Sequence, residues 1–190
     1  MSTLLEPIGP TDHVLGRPNA PASLVEYGDY ECSHCARAHY EVAEVLRRVG
    51  NDVRYAYRHF PLTRLHPHAL LAAQAAEAAG AEGRFWPMHS MLFEIQRPLD
   101  LAELMDCADT VGIDLLHFSR DLRAGLHLPK IESDFRGGVR SGVDATPTFF
   151  LNSVRLEGRW DADTLSAAIR EAIAQSGSAP VGWSRPPAQR

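Results

Sequence analysis

Cysteine is scarce in this chain, with three among 190 residues. So few cannot staple a secreted disulfide scaffold, and they leave no second pair to complete a zinc ribbon. Basic charge is also short. Nineteen Lys and Arg against 24 Asp and Glu give a net charge of −5, which argues against nucleic acid or an anionic membrane surface as partner. No apolar run approaches the roughly 20 residues of a membrane helix. The segment Met1 to Pro10 has neither the basic stretch nor the apolar run of a secretory signal, so with Met1 as the start the expectation is a cytoplasmic protein. Internal repeats are absent. What is present, 45% hydrophobic and 23% charged residues, suits one globular domain with a core of its own and room for a large insertion.

Residues 1–11, punctuated by Pro and Gly, read as an extended arm, and His13–Gly16 as a short edge strand. A strand over 22–27 leads into a helix over 33–49, with Ala36, Tyr40, Ala43 and Val45/Leu46 as its apolar stripe. Gly50-Asn51-Asp52 ends that helix and 53–60 is the next strand. This is a βαβ unit, with parallel pairing and a right-handed crossover. From 65 to 143 the pattern is helical throughout: 67–81, then 84–96 with Phe85, Met88, Met91, Leu92 and Ile95 on one stripe. A third helix is opened by an Asp100/Glu103 capping box and closed by Gly112, and two more span 114–125 and 128–142. Five helices without a strand between them do not fit simple α/β alternation and read as an inserted helical subdomain. Strands follow at 148–151 and 154–156 around the turn Asn152-Ser153, then a helix over 162–175 capped by Asp161. Residues 177–190, rich in Pro, Gly and Ser, read as a disordered tail. The α/β domain is thus expected at 12–64 and 144–176, interrupted by the insertion at 65–143.

Cys32-Ser33-His34-Cys35 falls where the first long strand gives way to a helix. Unpaired N–H groups and the helix dipole there favour an anion, which lowers a thiol's pKa and makes it the reactive thiolate. Cys35, one turn on, is placed to resolve a mixed disulfide. His34 adds a candidate cation: an imidazolium about 5 Å from the sulfur contributes roughly 3 kcal/mol at an effective dielectric near 20, against about 0.3–2 kcal/mol from a helix end. Glu26 lies in the strand. If it faces inward its pKa rises and it can accept the Cys35 proton; strand alternation alone leaves its direction open. In Thr146-Pro147-Thr148, the proline either simply opens a strand or forms a cis bond that turns the Thr146 backbone toward the dithiol. His59, His66 and His68 read as structural or surface residues and Cys107 as a small core residue. Trp86, Met88, Met91 and Phe93 fit helix packing better than a peptide groove.

Glu26 six residues ahead of Cys32, the Cys-Ser-His-Cys run, and Thr146-Pro147-Thr148-Phe149-Phe150 together resemble the thioredoxin superfamily. The helical insertion and the histidine before the second cysteine resemble its DsbA-like branch, over about residues 12–175. The resemblance implies an α/β thioredoxin fold with a large inserted helical subdomain, a cis-proline at Pro147 and a buried acid at Glu26. It implies a protein disulfide oxidoreductase acting on protein or peptide thiols and disulfides, served by a thioredoxin or glutathione system, without metal or organic cofactor. Cys32, Cys35, His34 and Glu26 are its candidate catalytic residues, and Thr146 and Pro147 its candidate substrate-binding residues. Ser33 departs from the proline of the best-known DsbA proteins, and the absent export signal is a second departure. In a reducing cytosol the pair is expected to rest as a dithiol. Two alternatives stand beside this. One is a redox-regulated binding module holding zinc through Cys32 and Cys35 with a partner. The other, the kappa-class glutathione transferase relatives, does not need a paired dithiol.

Overall fold

The computed structural model describes residues 2–95 and 97–176; the tail expected over 177–190 lies outside the described residues. The sheet follows from the strand order β1-β3-β2-β4-β5. β2 (Ala22–Gly28) and β3 (Val53–His59) run parallel, Ala22 opposite Val53 and Gly28 opposite His59. Between them run α1 (Ser33–Val49) and a 3-10 turn, Gly50–Asp52, the βαβ unit expected from the sequence. β1 (His13–Leu15) pairs antiparallel with the outer side of β3, and β4 (Thr148–Leu151) antiparallel with β2. β5 (Val154–Arg155) returns along β4 through Asn152 and Ser153, whose φ angles of 46° and 68° suit a tight primed hairpin turn. The arm is tied down: Thr3 bridges Val154 at the far edge, and Leu4 is buried.

β2 is buried on both faces, as a central strand with parallel pairing should be. Leu24 joins the larger apolar cluster with Cys35, Ala38, Val42 and Val45 of α1. Val25 and Tyr27 join a smaller one on the opposite face with Phe60 and Phe150. Period-two alternation then puts Glu26 on the face of Leu24, toward α1.

The stripe expected on α1 holds in part, with Val45 fully buried and Ala36 and Leu46 packed against the core. Its buried residues are Cys35, Ala38, Val42, Val45 and Val49, spaced 3, 4, 3, 4. Tyr40 is 58% exposed and Ala43 exposed as well. The helix carries two apolar stripes, and the Val/Ala one faces the sheet.

Five helices separate β3 from β4: α2 (Ala69–Ala81), α3 (Phe85–Glu94), α4 (Leu101–Val111), α5 (Leu115–Ala124) and α6 (Leu128–Arg140). The Asp100 carboxylate caps α4 by accepting from the Glu103 N–H at 3.0 Å, and Gly112 closes it in the left-handed region at φ 76°. On α3 the buried set is Phe85, Met88, His89, Leu92 and Phe93, so His89 and Phe93 take the places expected for Met91 and Ile95. α6 approaches the second face of the sheet at Gly138, where a Cβ would stand 2.8 Å from the Phe60 ring. α7 (Ala162–Ser176) lies beside α1. The larger cluster runs without a break from the sheet and α1 into α2, α3 and α4, so the inserted helices share the sheet's core.

Candidate active site

Cys32 is the N-cap of α1, with extended backbone (φ −78°, ψ 117°) and its carbonyl accepting from the Ala36 N–H at 3.0 Å. A Ser or Asp oxygen at an N-cap would accept from the second or third helical N–H. Here a sulfur stands in that place. The Cys32 pKa is lowered to about 5, first by hydrogen bonding from the Cys35 thiol, then by the Thr146 side chain and the backbone N–H groups of Cys35 and His34, against an opposing effect of burial. Cys35 is fully buried; burial, the bond to Cys32 and the charge of Glu26 push its thiol well above the ordinary range. Both thiols are free, and the Cys32 thiol donates to the Thr146 carbonyl oxygen at 3.4 Å. The Thr146–Pro147 peptide is cis, which brings that carbonyl to the sulfur across 114 residues of sequence.

Glu26 is 1% exposed. Its Oε2 accepts from the Tyr55 hydroxyl at 2.7 Å, while Oε1 has no partner among the described residues. Burial raises its pKa to about 8; the Tyr55 bond works against this and the Cys32 charge adds to it. His34 reaches Cys32 through its backbone N–H. Its imidazole is exposed and is not among the main causes of the lowered thiol pKa, so the expected dominance of the imidazolium over the helix end is not what the geometry supplies.

The loop ahead of Cys32 is pinned by carboxylates that the sequence did not single out. Asp29, buried, accepts from the N–H groups of Glu31 and Leu62 at 2.8 Å each and pairs with His66 Nδ1 at 2.8 Å. Glu31 holds the N–H and Nδ1 of His68, both at 2.7 Å. His66 and His68 therefore fix the segment that follows β3 against the cysteine loop. His59 is buried and bonds Glu77 at 2.8 Å. Cys107 lies in the core, its thiol pushed up to about 11 by burial.

Beside Cys32 opens a groove of about 550 Å³. Ser33, Ala36, Arg37 and Tyr40 of α1 form one wall, at the i, i+3, i+4, i+7 spacing of a single helix face. Phe93 and the run Ile95, Arg97, Leu99 form the other. Ala36 and Tyr40, two residues of the apolar stripe read from the sequence, line this groove, and Ala36 also packs against the core. Of the four α3 residues weighed for a peptide groove, Phe93 lines it and Met88 is buried in the core. Among the described residues no three His, Cys, Asp or Glu side chains converge to hold a metal ion.

Residues 9–171 match the family model described as Thioredoxin. The chain belongs to the thioredoxin family. Its architecture, with helices inserted between β3 and β4, is that of the DsbA-like thiol–disulfide oxidoreductases. A thioredoxin-like oxidoreductase from Silicibacter pomeroyi DSS-3 superposes with a TM-score of 0.78 at 27% identity, covering 90% of this chain and 95% of that one. BdbD from Bacillus subtilis (TM-score 0.75, 24% identity, 85% and 92% covered) and alpha-DsbA1 from Wolbachia pipientis (0.77, 23%, 91% and 96%) share the fold. In sequence, this thioredoxin-family chain is 43% identical over 169 residues to the Na(+)/H(+) antiporter NhaA 1 of Mycolicibacterium gilvum (strain PYR-GCK), covering 87% of the chain and 27% of that protein. It is 43% identical over 172 residues to NhaA 1 of Salinispora arenicola (strain CNS-205), covering 90% and 26%. The chain thus spans about a quarter of the length of these curated relatives. Among the described residues no helix is long and apolar enough to cross a membrane.

Proposed function

We propose that this protein exchanges disulfides with protein or peptide substrates through Cys32 and Cys35. The observation that carries the reading is the split between the two thiols, one lowered to about 5 at the groove's edge and the other held protonated in the core. At neutral pH Cys32 is an anion and attacks a substrate disulfide. One substrate sulfur joins Cys32 and the other leaves as thiolate, taking the electron pair of the broken S–S bond. Cys35 then attacks Cys32 and releases the second substrate thiol. The protein ends as the Cys32–Cys35 disulfide, two electrons poorer, and the substrate as a dithiol; the reverse order oxidises a substrate.

Resolution requires Cys35 to lose a proton in an apolar site. Glu26, on the facing strand with a free oxygen and a carboxyl titrating near 8, suits the acceptor role because its proton affinity lies near neutral. The His34 N–H, the Thr146 carbonyl and Pro147 frame the sulfur, where an extended substrate backbone can pair. In a compartment poised as low as a reducing cytosol, the protein rests as a dithiol and acts as reductant or isomerase. A redox partner of the thioredoxin or glutathione type would return it to that state.

The test is insulin-disulfide reduction with stoichiometric reduced protein. Wild type reduces insulin, Cys32→Ser is inert, and Cys35→Ser accumulates a mixed disulfide visible by non-reducing electrophoresis. A Cys32→Ser protein as active as wild type would overturn the proposal.

A further inference from the structure

We propose that the groove beside Cys32 selects disulfides flanked by acidic residues. This rests on the exchange reading above and adds to it the chemistry of the substrate.

The charged side chains lining the groove are Glu31, Arg37 and Arg97. Glu31 is satisfied inside the protein, both of its oxygens being taken by His68. Arg37 has no carboxylate partner among the described residues; its guanidinium carbon lies 5.2 Å above the Trp160 ring, a cation–π seat that orients the group without neutralising it. The nearby arginines differ: Arg155 pairs with Asp144 and Glu157, and Arg159 with Asp161. Arg97 bonds Glu103 at 2.7 Å, yet its side chain remains 70% exposed, so donors of its five-N–H fork face outward. Two guanidiniums thus stand on opposite walls of one groove in a chain whose net charge is −5.

Local charge decides here, because a screening length of about 10 Å at 0.1 M salt hides the remote acidic surface. Between the arginines the walls are apolar and aromatic, from Ala36, Tyr40, Phe93, Ile95 and Leu99. A substrate cysteine bonded to Cys32 brings its chain neighbours alongside, at about 3.3 Å per extended residue. An Asp or Glu two or three residues away then meets a guanidinium, while an apolar side chain beside it fills the trough. A Lys in the same place is repelled.

The test uses the full chain, reduced, and peptide disulfides that differ only in Glu, Gln or Lys at two and three residues from the cysteine. Each rate is divided by the rate of the same peptide with dithiothreitol, which removes the effect of flanking charge on the leaving thiol. In 20 mM salt the Glu peptide should react about five- to thirtyfold faster than the Lys peptide, the scale of two exposed ion pairs, and the rates should converge in about 0.5 M salt. The Arg37→Glu/Arg97→Glu variant should invert the order. Arg37→Gln, which breaks no ion pair, should shrink the Glu advantage even if the double variant folds poorly. Equal corrected rates for the Glu and Lys peptides, in protein that reduces neutral hydroxyethyl disulfide, would overturn the acidic preference alone. An unchanged Glu advantage in Arg37→Gln, with the order retained in the double variant, would also overturn it. Failure of wild type on hydroxyethyl disulfide would remove the exchange reading and this inference with it.

Discussion

Cys32 and Cys35 are the same chemical group three residues apart, and their surroundings drive them in opposite directions. Cys32 sits at a helix end among donors; Cys35 is buried where a charge has no solvation and a neighbouring acid repels it. The largest cause of the low Cys32 value is the Cys35 thiol itself. A hydrogen bond to a charged group contributes about 1.5–3 kcal/mol, or roughly one to two pH units. Thiolate absorbance near 240 nm should therefore titrate around pH 5 in wild type and about one to two units higher in Cys35→Ala. An unmoved midpoint would show that the helix end and Thr146 suffice.

Glu26 gives a prediction of opposite sign. Its carboxyl titrates near 8 in the folded chain and near 4.3 in an unfolded one. Between those values the folded state holds a proton that the unfolded state has released, so this residue's contribution to stability declines as pH rises from about 4.5 to about 8. Glu26→Gln keeps a partner for the Tyr55 hydroxyl and removes the titration. Urea unfolding should find it more stable than wild type at pH 8.5, by on the order of 3–5 kcal/mol, and little different at pH 4.5. It should also slow release of substrate from the mixed disulfide.

At the scale of elements, α1 has two faces with different tasks. Val45 is fully buried in the face against the sheet, and Tyr40 stands on the face that lines the groove. Val45→Ala should cost about 2 kcal/mol from two lost methyl groups and the cavity left behind, whereas Tyr40→Ala should stay within about 0.5 kcal/mol. Equal losses in urea unfolding would contradict the assignment of faces. The cap of α4 is a separate element-scale case: Asp100→Ala should cost about 1 kcal/mol and lower the melting temperature by about 2–4 °C in a chain of this size.

For the molecule as a whole, the dithiol and disulfide states differ in what titrates. The lowered Cys32 thiol adds stability to the dithiol state that is fully present above about pH 8.5, its unfolded value, and is lost as pH falls through about 5. The disulfide state has no such group. Below about pH 5, reduction takes up two protons with two electrons; above it, one. The reduction potential should then fall by about 59 mV per pH unit below pH 5 and by about 30 mV per unit above it, until Glu26 titrates near 8. A steady 59 mV slope through pH 7, measured against glutathione, would mean that Cys32 stays protonated there.

Much of this molecule is written locally. The boundaries of β2, α1 and β3, the Asp100 cap, the Gly112 stop and the Asn152-Ser153 turn all came from neighbours within a few residues, because propensity, capping and hairpin chemistry act over that range. The Cys32–Cys35 spacing and its place at a helix start were legible for the same reason. The direction of Glu26 was not: β2 is buried on both faces, so alternation of polar and apolar residues is absent. Nor was the core face of α1, since a stripe that lines a groove has the same periodicity as one that packs a core. Arg37 on Trp160, Asp29 on His66 and the Thr146 carbonyl at the Cys32 sulfur join residues 37 to 123 positions apart. Thus the sequence by itself determined the elements and the reactive pair, through forces that act between near neighbours. Only the tertiary structure decided how deeply the second sulfur is buried, where the acid points and what charge faces the groove, because burial and long-range electrostatics depend on segments that folding alone brings together.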